Sequence, residues 1–254
     1  MRKILFFIFC LLFVQRVDAQ ESVYRRLDSS LRIMSYNVRN AKGMDLKTDY
    51  ARVAAVMNGL TPDVIAVQEL DNGTRRSGGK DVLAELASLA AMYATYGAAI
   101  EYDGGKYGVG ILSREEPLSH YNVPLPGREE ERTILVAEFN EYIFASTHWS
   151  LTKEDRVASV DIVCEIAEQY DKPVFMAGDF NMTPESEELQ LLTKNWIVLN
   201  NLKLNTFPSD SPDRCIDYVF IYSNPDVEAK LLQNNVLNEP IASDHRPVFV
   251  DVKL

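Results

Sequence analysis

Cysteine and histidine are scarce in this 254-residue chain, with three of each. Cys10 lies in an N-terminal apolar run. Cys164 and Cys215 have neither the dense, even pattern of a disulfide scaffold nor the paired Cys or His spacing of a zinc site. Cys164 falls in a helical pattern and Cys215 beside a strand pattern, so both read as buried free thiols. Basic residues are also in short supply: 26 Lys and Arg stand against 37 Asp and Glu, a net charge of −11. That balance argues against a broad basic groove for nucleic acid, which needs clustered cations. It leaves room for a local basic site or a bound divalent cation that inverts the local field. Long apolar runs are missing apart from Ile4 to Val14, which is too short to span a bilayer. Arg2 and Lys3 precede this run and Val17-Asp18-Ala19 follows it, the pattern of a signal peptide cleaved before Gln20. Phe-Ile-Phe before Cys10 excludes a lipoprotein signal. The expected destination is the periplasm or the medium, with no membrane anchor on the mature chain. Removing residues 1–19 leaves 36 acidic and 23 basic side chains, a net charge of −13. Internal repeats, long linkers and low-complexity segments are absent too.

What is present is one domain's worth of alternating strands and helices, with a leader at residues 20–30 and a single domain at 31–254. Leu31 to Tyr36 reads as a strand and Asp49 to Leu60 as a helix with an Ala/Val/Met face. Thr61-Pro62-Asp63 breaks it, and Val64 to Val67 is a short, fully apolar strand. A helix follows from Asp81 to about Ala91. Tyr93–Ile100 and Tyr107–Leu112 flank Asp103-Gly104-Gly105, which is a hairpin signal and not a phosphate loop. Ile134–Phe139 and Tyr142–Ser146 form a second hairpin. Lys153–Tyr170 is amphipathic at helical spacing, Pro173–Gly178 a buried strand, and Glu185–Leu192 a short helix. Ile216–Tyr222, Val227–Leu232 and Val248–Val252 complete the strands. A purely parallel doubly wound sheet does not hold two hairpins in sequence. The expected fold is therefore an α/β (α+β) four-layer sandwich: two mixed β-sheets packed face to face, with helices on their outer faces.

Polar residues collect where these strands end, which is where sites form on open α/β sheets. Asn37, Glu69, His148, and Asp179 with Asn181 each follow a strand. Asp217 begins one, and Ser243-Asp244-His245 precedes the last. A single carboxylate after a strand is more often a cap or turn former; six such placements in one chain are not explained by capping. Gly110 in Gly110-Ile-Leu-Ser-Arg114 reads as a glycine that permits close packing, and Arg114 as structural.

Taken in order, Asn37, Gln68-Glu69, Gly110–Arg114, Thr147-His148, Gly178-Asp179-Phe180-Asn181, Ile216-Asp217-Tyr218 and Ser243-Asp244-His245-Arg246-Pro247 resemble the motif set of the endonuclease/exonuclease/phosphatase superfamily. The resemblance covers residues 31–252 and implies a deoxyribonuclease I-like fold and metal-dependent phosphoester hydrolysis. It implies Mg2+, with Mn2+ as the alternative ion, held by Glu69 with Asn37 and Asp244. It implies His245 facing the phosphate, with Asp217 orienting it and raising its basicity. Asp179 would orient or activate water, and Asn181 would donate to a phosphoryl oxygen. Which of Asp179 and the His245–Asp217 pair is the base stays open. His148 is placed to protonate the leaving oxygen or bind phosphate, and Arg132 to neutralise it, against the plainer reading of an ion pair with Glu129–Glu131.

The chemistry fits these residue types. A phosphate ester repels hydroxide, so hydrolysis needs charge neutralisation, a positioned water and help for the leaving oxygen. Magnesium takes one or two carboxylates and keeps waters. The substrate is expected to be a phosphate ester, whether small molecule, lipid headgroup or nucleic acid, met by a monomer. His148 sets the chain apart from abasic-site endonucleases, and the polar, Gly-rich 98–108 segment does not support sphingomyelinase-like membrane insertion. A nuclease or a lipid phosphodiesterase is the alternative within this chemistry; a catalytically silent phosphate-binding module is the alternative outside it. Residues 201–215 read as a polar loop rimming the site, with Phe207 packed rather than stacked on a base.

Overall fold

The short apolar segments separated by turns become strands that sort into two six-stranded sheets, seen in a computed structural model that describes residues 24–254. The signal-peptide reading of residues 1–19 lies outside the described residues. The first sheet runs β11-β12-β1-β2-β4-β3, from Lys230–Val236, Val248–Lys253, Leu31–Asn37, Val64–Asn72, Gly105–Ser113 and Tyr93–Tyr102 respectively. The second runs β5-β6-β7-β8-β10-β9, from Ser119–Leu125, Arg132–Glu138, Ile143–His148, Val174–Asp179, Asp217–Tyr222 and Trp196–Val198. Each sheet holds one parallel pair, β1 with β2 and β7 with β8, while its other pairings are antiparallel. This is the expected pair of mixed sheets.

Each parallel pair needs a crossover, and a helix supplies it. Helix α1 (Tyr50–Leu60) joins β1 to β2. Asp49 caps it by accepting from Arg52 N, and Thr61 ends it in the left-handed conformation just before Pro62. Helix α2 (Val82–Ala90) is capped by Asp81 and lies beside α1. Their apolar sides, including Val53, Met57, Leu83 and Leu86, cover Met34, Ile65 and Val67 on the outer face of the first sheet. Helix α3 (Lys153–Ala167) joins β7 to β8, and with α4 (Glu187–Leu192) it covers the outer face of the second sheet. Between the sheets, Ile33, Val64, Ala66, Val109 and Ile111 meet Leu135, Phe144, Phe175 and Val219.

The differences from expectation are local. The third helix stops at Ala167, short of Tyr170, and the fourth starts at Glu187 because Ser186 is its cap. β2 continues past Val67 to Asn72, and β11 starts three and ends four residues further along than the apolar pattern suggests. Strands β5 and β9 had not been expected. Both are sheet edges, and β5 is polar, largely exposed and contains Pro124, so no apolar alternation marks it. Gly110 is required for packing: a Cβ there would meet the Leu83 and Leu70 methyls at 2.6 and 2.7 Å. Arg114 is structural, donating through Nε to the Pro62 carbonyl at 3.0 Å. Asp103 and Gly104 form the hairpin turn between β3 and β4, both at positive φ.

The alternation of side chains along a strand then places the polar residues. In β1, Ile33 faces the second sheet and Met34 faces the helices, so Asn37 faces the second sheet. The same count turns His148, Asp179 and Asp217 inward from β7, β8 and β10. Arg32, facing out of β1, is buried and holds Asp251 of β12 in a bidentate pair at 2.6 and 2.9 Å.

Candidate active site

Register brings three of the inward residues into a row. His148 pairs with Asp179 across β7 and β8, and Asp179 with Asp217 across β8 and β10. Asn37 stands opposite, on β1. Glu69 reaches the same crevice by an irregularity. Strict alternation along β2 would turn it toward the helices, but β2 bulges against β4 between Val67 and Leu70, and Glu69 has φ +61°. A non-glycine residue in the left-handed region costs on the order of 1 kcal/mol. The bulge swings the carboxylate to within 3.0 Å of Asn37 Nδ2.

Asn37 Nδ2 also donates to Asp179 Oδ2 at 3.1 Å, so one amide bridges two carboxylates, while its oxygen accepts from Arg39 N. Asp179 is the hub. Its Oδ2 lies 3.5 Å from both His148 Nε2 and His245 Nε2, and its Oδ1 accepts from Asn181 N at 3.0 Å. The other nitrogen of His245, Nδ1, lies 3.0 Å from Asp217 Oδ2. Asp217 is itself fixed where its strand starts, with its backbone N–H donating to Thr206 Oγ1 at 3.4 Å. Asn181 Nδ2 donates one hydrogen to the Trp149 carbonyl at 2.9 Å. Asp244 lies at the mouth, paired with Arg39 Nε at 3.3 Å.

The two imidazoles are held in opposite charge states. Burial pulls His148 down to about 4, with Arg132 and His245 adding to the effect against the pull of Asp179. Burial also opposes charge on His245, but Asp217, Asp179 and Asp244 outweigh it and push it up to about 10. At neutral pH His148 is therefore neutral and His245 is an imidazolium. Glu69 is raised, first by desolvation and then by the charges of Asp244 and Asp179, against the relief given by Asn37.

These carboxylates bear on where a cation fits. Among the described residues, Asp179, Asp217 and His245 bring potential ligand atoms within 4.8 Å of one another. Asp217 and His245 Nδ1, however, already satisfy each other, which makes them a proton-holding pair rather than an ion cage. Glu69 is different: it is desolvated, repelled by two other carboxylates, and has a single amide as hydrogen-bond donor. Hard oxygen donors with such an excess of negative charge fit a divalent cation of the magnesium type. The sequence-expected site residues are thus brought together, with Glu69 and Asp244 on one side and the row of His148, Asp179 and Asp217 on the other.

Arg132 combines the two readings offered for it. It pairs with Glu130 and Glu129 at 3.1 and 3.5 Å, yet it is buried, its Nε has no partner, and its charge is felt at His148. Phe207 packs on His245, ring centroids 4.7 Å apart. The 201–215 loop braces the catalytic segment: Ser209 N donates to the Asp244 carbonyl, and Arg246 N to that of Thr206. Sequence reasoning gave no role of its own to Ser243, whose hydroxyl donates to the Asn37 carbonyl at 2.7 Å and so ties the two ends of the site together. It also passed over Thr206 and Arg39. The Ser-Asp-His triplet was a signal for the first; a lone threonine in a loop gives none.

A model of the Endonuclease/Exonuclease/phosphatase family matches residues 34–245. No curated protein matches at a meaningful level. Among solved structures, an endonuclease/exonuclease/phosphatase from Bacteroides vulgatus is similar at 17% identity and a TM-score of 0.73, covering 89% of this chain and 100% of that one. Mannosyl-6-phosphatase from Bacteroides thetaiotaomicron is similar at 20% identity and a TM-score of 0.71, with coverage of 89% and 100%. D. rerio TDP2 in complex with a single-strand DNA product is similar at 21% identity and a TM-score of 0.68, again with coverage of 89% and 100%. At these identities the likeness establishes the fold.

Proposed function

Because the chain belongs to the endonuclease/exonuclease/phosphatase family, we propose that it is an exported, magnesium-dependent phosphoesterase in which Asp179 activates water and His245 stabilises the attacked phosphoryl group. The observation that carries this assignment is the pair of imidazoles set on one carboxylate oxygen, each 3.5 Å from Asp179 Oδ2, with burial pulling His148 down and the surrounding carboxylates pushing His245 up. An imidazolium has no lone pair with which to accept a proton, so at neutral pH His245 is a donor and Asp179 is the available base. Asp217 keeps His245 charged and turns its Nε2 toward the crevice.

The ester enters with its phosphoryl oxygens toward His245 Nε2, the free N–H of Asn181 and Arg132. Asp179 holds the water on the opposite side and takes its proton as the oxygen attacks phosphorus. As the P–O bond to the leaving group breaks, that oxygen needs a proton or a hydrogen bond. Neutral His148 supplies the hydrogen bond through Nε2, and His245 gives its Nε2 proton to that oxygen and recovers one from Asp179, 3.5 Å away. Glu69 and Asp244 would hold the divalent cation, Mg2+ or Mn2+, which when bound neutralises phosphoryl charge and polarises the ester. Asn37 keeps Glu69 and Asp179 at a fixed separation. Export rests on the N-terminal sequence alone, and N-terminal sequencing of protein from periplasm or medium reads it, Gln20 being the expected first residue.

The similarity to a mannosyl-6-phosphatase and to a protein bound to a DNA product leaves monoester and diester hydrolysis both to be tried. The test is a panel in magnesium: bis(4-nitrophenyl) phosphate, sugar phosphates, inositol phosphates, sphingomyelin, plasmid DNA and RNA. Wild type should cleave at least one, and His245→Ala should lower that rate by ~10²-fold or more, the usual scale for acid–base groups. No cleavage of any ester in Mg2+ or Mn2+, or full activity in His245→Ala, refutes the assignment.

A further inference from the structure

One face of the crevice takes no part in that reaction. Tyr102 of β3 and Tyr107 of β4 stand beside the catalytic layer with the guanidinium of Arg76 against them, 4.6 Å from the Tyr102 ring centroid and 5.5 Å from that of Tyr107. Register settles which way the rings project. Tyr107 is two residues from Val109, which lies in the core between the sheets. Ile100 pairs with Tyr107 and Tyr102 pairs with Gly105, so Tyr102 and Tyr107 share the crevice side of the hairpin.

This face is built to be rigid. Arg76 donates through Nε and Nη2 to both oxygens of Asp71, at 2.7 and 2.8 Å, and through Nη1 to the Tyr102 hydroxyl at 3.3 Å. Asp71 is wholly buried and also accepts from Thr74 Oγ1 at 2.8 Å. It lies two residues beyond Glu69 on β2 and pairs in register with Tyr107. The face is thus continuous with the metal-side carboxylate. After burial, the charge of Glu69 is the strongest influence on the Tyr107 hydroxyl, and Arg132 acts on Tyr107 and His148 alike. More than a third of Tyr102 stays exposed, at 38%.

The charges around the face say what kind of group fits. Arg39, Arg75, Arg76 and Arg132 each already hold a carboxylate: Asp244, Asp103, Asp71 and Glu130. Among the described residues, a polyanion running along this wall finds no free cationic group beyond the unpartnered Nε of Arg132, which the phosphoryl group itself takes up. An aromatic surface edged by fixed guanidinium donors and carboxylate acceptors suits a neutral, hydroxylated ring. Its C–H face lies on tyrosine while its hydroxyls exchange hydrogen bonds with the rim.

We propose that Tyr102, Tyr107 and Arg76 form a subsite that seats the sugar ring of a sugar phosphate while its phosphoryl group lies against Glu69, Asp179 and His245. This rests on the phosphoesterase reading and extends it to a substrate class. Binding separates the two claims. Calorimetry on the His245→Ala protein in magnesium, which cannot turn over rapidly, compares mannose 6-phosphate, ring-less glycerol 3-phosphate and adenosine 5′-monophosphate. Mannose 6-phosphate should bind ~10-fold more tightly than glycerol 3-phosphate, the scale of one aromatic contact. Adding Tyr102→Ala should remove that preference, and Tyr102→Phe, which keeps the ring, should retain most of it. Equal affinities for the two esters in the parent protein, or a preference that survives Tyr102→Ala, overturns the subsite. A loss confined to adenosine 5′-monophosphate shows a face that stacks bases, and the sugar assignment fails. Hydrolysis of the ester panel by wild type is scored separately. Cleavage of none of its esters, alongside ring-dependent binding, refutes the reaction and leaves the subsite standing.

Discussion

Replacing Asp217 by Asn keeps the shape of the side chain and removes the charge that holds His245 protonated. The imidazole is pushed from an ordinary value of ~6.5 to about 10, against burial, with Asp217 the foremost favourable influence. A rise of that size is on the order of 5 kcal/mol in favour of the charged form. Without Asp217 the opposing burial remains, with only the more distant charges of Asp179 and Asp244 to resist it. The imidazole should then return to ~6.5 or below. At pH 8 that leaves roughly 3% of His245 protonated, so ionisation alone lowers the rate ~30-fold. Loss of the orienting hydrogen bond brings the total toward ~10³–10⁴-fold, as for other His–Asp pairs. The assay is kcat/KM for bis(4-nitrophenyl) phosphate from pH 5 to 10.5 in magnesium, with NMR titration of the imidazole alongside. The alkaline limb should move from about 10 in wild type to near or below neutrality in Asp217→Asn. A variant whose rate is lower by the same factor at every pH, with its alkaline limb unmoved, refutes the idea that Asp217 acts by keeping His245 charged.

Glu69→Gln should abolish magnesium binding in calorimetry, yet raise the melting temperature in EDTA, because Glu69 is desolvated and repelled by Asp244 and Asp179; a lower melting temperature contradicts that electrostatic account. His148 is held down to about 4, below the unfolded ~6.5, so the stability tied to its neutral form is full above ~6.5 and fades as pH falls toward 4. His148→Ala should therefore flatten the loss of metal-free stability between pH 6.5 and 4, read by urea melts; an unchanged slope counts against it. Arg32→Leu leaves Asp251 buried without its partner and should cost about 3–5 kcal/mol in urea unfolding. Arg32 lies on the outer face of β1, so the activity per folded molecule should stay within about twofold of wild type, and a large loss would place the residue wrongly.

The fold was legible wherever a segment had one buried face and a clear stop. α1 could be bounded to within one residue because Asp49 caps it and Thr61-Pro62 ends it. β5 was invisible because an edge strand needs no apolar alternation, and a Ser-His-Tyr-Asn-Val-Pro-Leu stretch that buries only its last residue looks like loop. The site was legible as a list, since Asn37, His148, Asp179 and Asp217 sit at strand ends where alternation alone turns them inward. Glu69 was legible in identity but not in geometry. Alternation assigns it to the helix side, and the β-bulge that corrects this depends on pairing with β4, some 40 residues away. The division of charge between the two histidines was not legible at all. It follows from how many carboxylates face each ring in three dimensions, a number that spacing along the chain does not carry.

Both sheets use their one parallel pair for the same purpose. Asn37 ends β1 and Glu69 sits at the bulge within β2, His148 and Asp179 end β7 and β8, and each pair of strands is joined through an outer helix. The two halves are chemically unequal, however. The first contributes Asn37 and an under-compensated carboxylate suited to a cation, and the second contributes Asp179, the proposed base, and the imidazole of His148. On the proposed reaction neither half is complete: Asn37 joins them by donating to Asp179 across the sheets, while Ser243, within the first half, ties the segment that carries His245 to the Asn37 carbonyl. His245 is the exception that completes the circuit. It arrives on the segment leading into β12 of the first sheet but takes its charge from Asp217 of the second. The catalytic charge state is therefore a property of the packed sandwich. Any change that spreads the sheets by even an ångström weakens the His245–Asp217 pair before it exposes the core, so activity should be the first thing such a change removes.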